Sequence, residues 1–404
     1  MSHEPESVSL LYITYHENIL YSGILRGQVQ KMLEGLLVQS DGLKATLLCY
    51  INPYQFWRDR GKWRELKQTL ANDKVKLIKL PLLLPSRWHW QFSVLSLIFC
   101  LIPLWFILRG GKYNVVHSRS YFAGMIAQWA KKLTGARHVF DPRGPFAEEG
   151  LQSGFWHEGD STHNFWLKVE RELMCESDAV VAVTPDYKRA FIEFGARKVV
   201  FVPNRGDVRH FAEQSKQTIL PETPVMLFFG GMDGAWYHPS RVGQFYLALK
   251  ADVPDLKLKL ISRANPQMVA DGLGKVGVAE SDWTLESRLP EEMPEHIASG
   301  TFGLMLGLRP SGNWPVKFAE YMACGVPVVV EELVGKHITV PVEKWGLGIV
   351  VDMDDEASFK QISGLISVRT EYSQRCREFA LKRLDMSRSS AQYARLYRQL
   401  LELK

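Results

Sequence analysis

Short apolar runs rich in valine, isoleucine and leucine recur along this chain, separated by longer stretches in which apolar positions return every three or four residues. The runs have the length and β-branched content of buried strands, and the stretches between have the period of helices that cover them. Residues 8–14, 44–50, 75–80, 114–117, 138–141, 179–184 and 199–203 predict a first series of strands. Residues 225–230, 256–261, 283–286, 302–306, 328–330 and 346–352 predict a second. Helical stretches are expected at 24–38, 290–299, 315–324 and 371–404. Strand–helix alternation of this kind is that of a doubly wound parallel sheet, and 404 residues suffice for two such domains. The polar stretch 213–224 reads as the linker. The expected division is therefore 1–212, a linker at 213–224, and a second domain at 225–380 followed by a helix at 381–404.

One stretch breaks the pattern. From Phe92 to Leu108 nearly every side chain is apolar, without a polar stripe. As a helix it would extend roughly 26 Å at the usual rise, short of the ~30 Å hydrocarbon core, and Pro103 interrupts it. Arg87, Trp88, Trp90, Trp105 and Arg109 flank it, residue types that favour a membrane interface. A segment lying at the interface is expected, with a buried helix of the first domain as the plainer alternative.

Charge sharpens that expectation. The net charge is +5, yet residues 51–140 hold fifteen Lys/Arg against three Asp/Glu, so the remainder is net acidic. A basic block of this size suits an anionic partner surface. No nucleic-acid-binding motif accompanies it, so a membrane is favoured over nucleic acid. The five scattered cysteines form no C-x-x-C pair, which fits a reducing cytoplasm. Residues 1–7 are polar, so no secretory leader is expected.

Candidate chemistry concentrates in TFGLMLGLRPSGNWPVKFAEYMACGVPVVVEE, residues 301–332. The order is strand, turn-rich loop, short helix, strand, and in such sheets ligands sit beyond the carboxyl ends of the strands. Pro315 suits a first helical position and Gly325 a left-handed stop. Lys317 and Glu320 share one helix face near an N-terminus whose free N–H groups favour phosphate. Glu320 has the reach to accept both hydroxyls of a ribose; an exposed Lys–Glu pair is the alternative. Ser22-Gly23 follows the first strand, where Ser22 either caps the next helix or faces a ligand. This is not a G-x-G-x-x-G fingerprint.

The run Pro315-x-Lys317-x-x-Glu320-Tyr321-Met322-Ala323-x-Gly325-x-Pro327-Val328-Val329 resembles the donor-site signature of retaining GT-B glycosyltransferases, glycosyltransferase family 4. Weaker likeness covers nearly the whole chain: Tyr113-Asn-Val-Val-His117, Ser177-Asp178-Ala-Val-Val-Ala-Val-Thr184, and Val202-Pro203-Asn204-Arg205-Gly206-Asp207. The resemblance implies two Rossmann-like domains facing across a cleft, with the C-terminal helix crossing back to the first. It implies that Glu320 holds the donor ribose, and that His117 ends a strand near the transferred sugar. Ser22 and Gly23 would lie in the loop facing the donor phosphates.

Relatives carry Gly-Arg after the first strand of the second domain, and a lysine soon after, to neutralise the diphosphate. Here the pair is Gly230-Gly231, so Arg241 and Lys317 are expected to supply the charge, joined by Arg263. Arg288 lies in the segment expected to meet the nucleobase. The first of the family's paired glutamates falls on Gly312, leaving backbone groups near Asn313 to meet the sugar.

The resemblance therefore implies a retaining transferase that moves a sugar from a UDP- or GDP-sugar to a glycan or lipid-linked acceptor, in cell-surface polysaccharide or glycolipid synthesis. It would be cytoplasmic and peripheral on the inner face of the plasma membrane. No metal or other cofactor is expected. A non-catalytic scaffold that binds nucleotide sugar or lipid, and a nucleotide-sugar epimerase, are the alternatives.

Overall fold

Each run read as a strand is one, within two residues at either end, in a computed structural model that describes residues 7–22, 25–40, 42–82, 90–216, 218, 221–232, 237–307 and 315–402. The strands build two wholly parallel sheets. The first contains β1 (Ser9–Tyr15), β2 (Lys44–Ile51), β3 (Val75–Pro81), β4 (Val115–Arg119), β5 (Arg137–Asp141), β6 (Ala179–Ala182) and β7 (Val199–Phe201), in the order β3-β2-β1-β4-β5-β6-β7. The second contains β8 (Val225–Phe229), β9 (Lys257–Ile261), β10 (Trp283–Glu286), β11 (Phe302–Met305), β12 (Val328–Glu331) and β13 (Gly348–Val351), in the order β10-β9-β8-β11-β12-β13. Both orders are those of doubly wound Rossmann-like sheets. Each reverses direction beside its first strand, between β1 and β4 and between β8 and β11.

Two-residue periodicity divides each sheet between two cores. Along β1, Leu10 and Tyr12 enter one cluster and Leu11, Ile13 and Tyr15 the other. Along β8, Leu227 and Phe229 face one layer and Met226 and Phe228 the opposite one. With both faces covered, the strands read as continuous apolar runs, which is why they were legible.

The first compact unit comprises Met1–Pro203 with Met386–Lys404, and the second Asn204–Asp385. The change of unit therefore falls earlier than the expected linker at 213–224, because Val208–Gln214 is a helix whose Val208 is buried in the second unit's core. The expected single helix at 371–404 is two, Arg369–Phe379 and Met386–Glu402, parted by a π-turn segment at Ala380–Leu384 and by extended Asp385. The last helix returns to the first unit, as the resemblance implied. It lies against Met32–Gln39, where Ser390 Oγ donates to the Met32 carbonyl at 3.0 Å. A side chain at Gly35 would collide with Ser390, so glycine allows this close approach.

Candidate functional site

In the second unit the sheet reverses between β8 and β11, and the chain leaves both strands at their carboxyl ends. β8 runs into Gly230, whose φ of +130° lies in a region that side chains rarely adopt. Its N–H donates to Ile261 at the end of β9 (3.0 Å). Beyond β11 comes the helix Val316–Ala323, with Pro315 at its N-cap in extended geometry and no side-chain cap. The N–H groups of Val316 and Lys317 are thus left without intrahelical partners, while that of Phe318 donates to the Pro315 carbonyl at 3.1 Å.

Lys317 projects from this first turn toward Gly230: a Cβ added there would lie 3.2 Å from Lys317 Nζ. The ammonium sits against the rings of Tyr237 (4.3 Å from the centroid) and Phe228 (4.5 Å). Nζ is shielded from solvent and has no hydrogen-bond partner among the described residues. Burial holds its pKa down to about 8, against the pull of Glu320. Burial likewise pushes the Glu320 carboxyl up to about 7, which Lys317 opposes. A shielded cation and a half-buried carboxylate, neither with a hydrogen-bond partner among the described residues, therefore lie one turn apart at a sheet reversal. Such groups are costly unless something satisfies them.

The other sequence-predicted residues distribute unevenly. Gly231 follows Gly230 and is exposed. Arg263 stands exposed two residues beyond Ile261, with no partner among the described residues. Arg241, expected to supply charge to the diphosphate, is ion-paired to Glu331 at the end of β12. The second oxygen of Glu331 accepts the Gly307 N–H at 2.8 Å, so the pair ties the end of β11 to the helix Pro239–Asp252. Glu331 went unnoticed in the sequence; a carboxylate closing the run Val328–Val330 at a carboxyl strand end was its signal. Arg288 Nε is engaged with Glu286 at 3.0 Å, in a cluster with Lys259 and His296. Gly23 and Asn313 lie outside the described residues. Ser22 Oγ accepts the Leu25 N–H at 3.2 Å, the kind of hydrogen bond its capping alternative calls for.

His117 requires correction. It was expected to end a strand, but β4 continues through buried Ser118 and Arg119, so His117 lies mid-strand. It is fully enclosed, shares a 2.6 Å hydrogen bond between its Nδ1 and Tyr397 Oη, and touches the rings of Tyr12 and Tyr393. Burial lowers its pKa to about 4, so it is a neutral core imidazole.

The first unit has its own polar group at the corresponding reversal. Glu17, after β1, accepts from Arg119 Nε at 3.0 Å, across the gap between β1 and β4. Arg143 reaches Asp141 (3.1 Å) and Gln28 Oε1 (2.8 Å), while Gln28 Nε2 is buried without a partner among the described residues. His16, Ser120 and Arg143 follow β1, β4 and β5 with φ of 58°, 71° and 73°. Left-handed non-glycine residues are strained; a fourth, Lys74 (φ 63°), lies in the turn before β3, so strain alone does not single out this reversal. Beside this group Tyr121 Oη donates to buried Glu170, and burial raises Glu149 and Glu170 to about 7 each. Among the described residues no group of three metal-ligating side chains occurs.

Residues 28–205 match the family model of the glycosyl transferase 4-like domain. No curated protein matches the chain. Solved structures match nearly end to end. Sucrose-phosphate synthase from Thermosynechococcus elongatus aligns with TM-score 0.71 and 15% identity over 98% of this chain and 100% of that one. A glycosyltransferase from Rickettsia africae aligns at 0.67 and 12%, over 99% and 100%. Anabaena HepE in complex with UDP and glucose aligns at 0.65 and 14%, over 96% and 99%. The two Rossmann-like units are those of the GT-B fold, and the likeness to glycosyltransferase family 4 read from the sequence is borne out.

Proposed function

We propose that this chain, with a glycosyl transferase 4-like domain at residues 28–205 in a GT-B fold, moves a sugar from a nucleotide-diphosphate donor to an acceptor with retention of configuration. The observation that carries this is Lys317 Nζ, desolvated and without a hydrogen-bond partner among the described residues, facing the Gly230 turn at a sheet reversal. A diphosphate lying along Gly230-Gly231 would meet Lys317, the N–H groups of Val316 and Lys317 at the start of the helix Val316–Ala323, and exposed Arg263. Glu320, one turn deeper, would accept the ribose hydroxyls. As the bond to the sugar breaks, charge accumulates on the diphosphate, and fixed donors already in place stabilise it without reorganisation. Arg241 acts through Glu331, holding the site's wall, and is a positioning residue. His117 takes no part. Neighbours support the donor class: HepE binds UDP and glucose, so UDP-sugar is favoured over GDP-sugar.

The acceptor, a glycan or lipid-linked sugar, is assigned to the first unit's reversal, where Glu17, Gln28, Arg119 and Arg143 offer hydroxyl-binding groups. A lipid-linked acceptor would place the chain at the cytoplasmic face of the plasma membrane, in cell-surface polysaccharide or glycolipid synthesis. The second reading, a non-catalytic nucleotide-sugar-binding relative, draws on Gly231 in the arginine position and on an Arg241 already neutralised by Glu331. Incubation with UDP- and GDP-sugars, with and without lipid-linked acceptor, separates them. Acceptor-dependent release of nucleoside diphosphate supports transfer. Donor binding without release supports the scaffold, and interconversion of the donor without acceptor supports an epimerase.

A further inference from the structure

Resting on the lipid-linked acceptor proposed above, we propose that the helix Trp90–Gly110 is a docking face by which the first unit lies on an anionic lipid bilayer. The helix is apolar on both sides. Cys100, Leu104 and Leu108 enter the core, with Leu97 and Leu101 packed beside them. Ser96 Oγ bonds Tyr15 Oη at 2.7 Å, and Tyr50 Oη bonds the Cys100 carbonyl, which holds this side inward. The opposite side carries Leu95, Ile98, Phe99, Ile102, Trp105 and Phe106, between 38% and 64% exposed. Their three- and four-residue spacing makes one continuous outer stripe, about 17 Å long at the helical rise. A soluble surface rarely shows a contiguous patch of such side chains. No described helix is long and apolar enough to cross a membrane, so the stripe lies along the surface.

The surroundings select the partner. Between Asp73 and Asp141 there is no acidic residue, while ten Lys and Arg occur. Arg109 stacks on Trp105 at 3.7 Å, at the end of the stripe. The adjoining helix Tyr121–Thr134 exposes Trp129 and Leu133, with Lys132 beside them. The helix Pro53–Arg58, which touches edge strand β3, exposes Tyr54 and Trp57, with Arg58 and Arg60 over their rings. Arg58 and Lys132 also pair with Asp59 and Glu176, but residues 74–140 carry ten basic side chains and no acid. Exposed apolar bulk rimmed by aromatic–cation pairs in such a basic stretch complements a bilayer with anionic headgroups. A second copy would set this basic block against itself.

The test is co-sedimentation of the full chain with vesicles of phosphatidylcholine alone or mixed with phosphatidylglycerol. Binding to the anionic vesicles is expected, weakening with salt and absent from the neutral ones. The triple variant Ile98→Gln, Ile102→Gln, Phe106→Gln replaces only outward residues. It should partition about a hundredfold less, since many buried methylenes are lost. UDP-induced thermal shift and nucleotide release with a soluble acceptor, measured on both proteins, should match. Equal recovery of both proteins in the supernatant at low salt overturns the docking face alone. So does a lipid-independent dimer that the triple variant abolishes while vesicle binding stays unchanged. Vesicle binding without nucleotide release overturns the transferase reading and leaves the face standing.

Discussion

Lys317 and Glu320 have opposite ionisation problems with one solution. Burial favours the neutral amine and the neutral carboxyl, whereas a nucleotide needs the ammonium and the carboxylate. Nucleoside diphosphate affinity should therefore peak between about pH 7, below which Glu320 protonates, and about pH 8, above which Lys317 loses its proton. Calorimetric titration across that range checks this, and Glu320→Gln should flatten the acid limb only. The same substitution has a second signature. A carboxyl whose folded pKa is raised from 4.5 to about 7 binds more protons folded than unfolded, so folding stability falls as pH rises through that window. Glu320→Gln should then melt higher than wild type at alkaline pH, an advantage that vanishes below the unfolded pKa. It should weaken nucleotide binding about tenfold or more, the loss of charge-assisted hydrogen bonds. A merely structural ion pair would show the reverse: lower stability and unchanged affinity. These two residues were legible because a short motif on one helix face named them. Glu331 was not, since its place at the end of the run Val328–Val330 suggests no partner until its pairing with Arg241 and Gly307 is seen.

Strands were the most legible elements, because burial on both faces writes each one as an unbroken β-branched run. Where polar residues are buried, that signal fails. β4 was read as ending at His117, because Ser118 and Arg119 look like loop until Arg119 is seen against Glu17. The last helix shows the same limit. Its amphipathic pattern continues that of the preceding helix, and nothing in the local sequence announces extended Asp385, where the chain changes unit. The helix Met386–Glu402 is held by Tyr397 on His117, so Tyr397→Phe should cost roughly 1–3 kcal/mol by stranding Nδ1 in the core. Urea unfolding should show that loss, with kcat unchanged per folded molecule. His117 has a pKa depressed from 6.5 to about 4, so the unfolded chain binds the extra proton in that window. Stability should decline as pH falls from the higher value to the lower, and replacing His117 by a neutral isostere should reduce that slope.

At the scale of the molecule, the chain carries two sheets of like topology, each with charged or strained residues gathered where its strand order reverses. One holds a desolvated cation beside a glycine turn and the other a set of hydrogen-bonded charged and polar side chains, the division on which the proposed donor and acceptor sites rest. Length and alternation announced two such domains, while the position of the boundary depended on Val208–Gln214 packing with the second core. The basic, acid-free block from Asp73 to Asp141 belongs wholly to the first unit. The central claim is that the reversal between β8 and β11 binds a nucleoside diphosphate through Lys317. Titrating UDP and GDP into the full-length wild type and into Lys317→Met tests it most directly, because methionine keeps the bulk against Phe228 and Tyr237 and removes only the charge. The account predicts that one of the two nucleotides binds wild type, and that the variant, equally folded, binds it about tenfold or more weakly. Equal affinity for the two proteins, or no binding of either nucleotide to wild type, would contradict it.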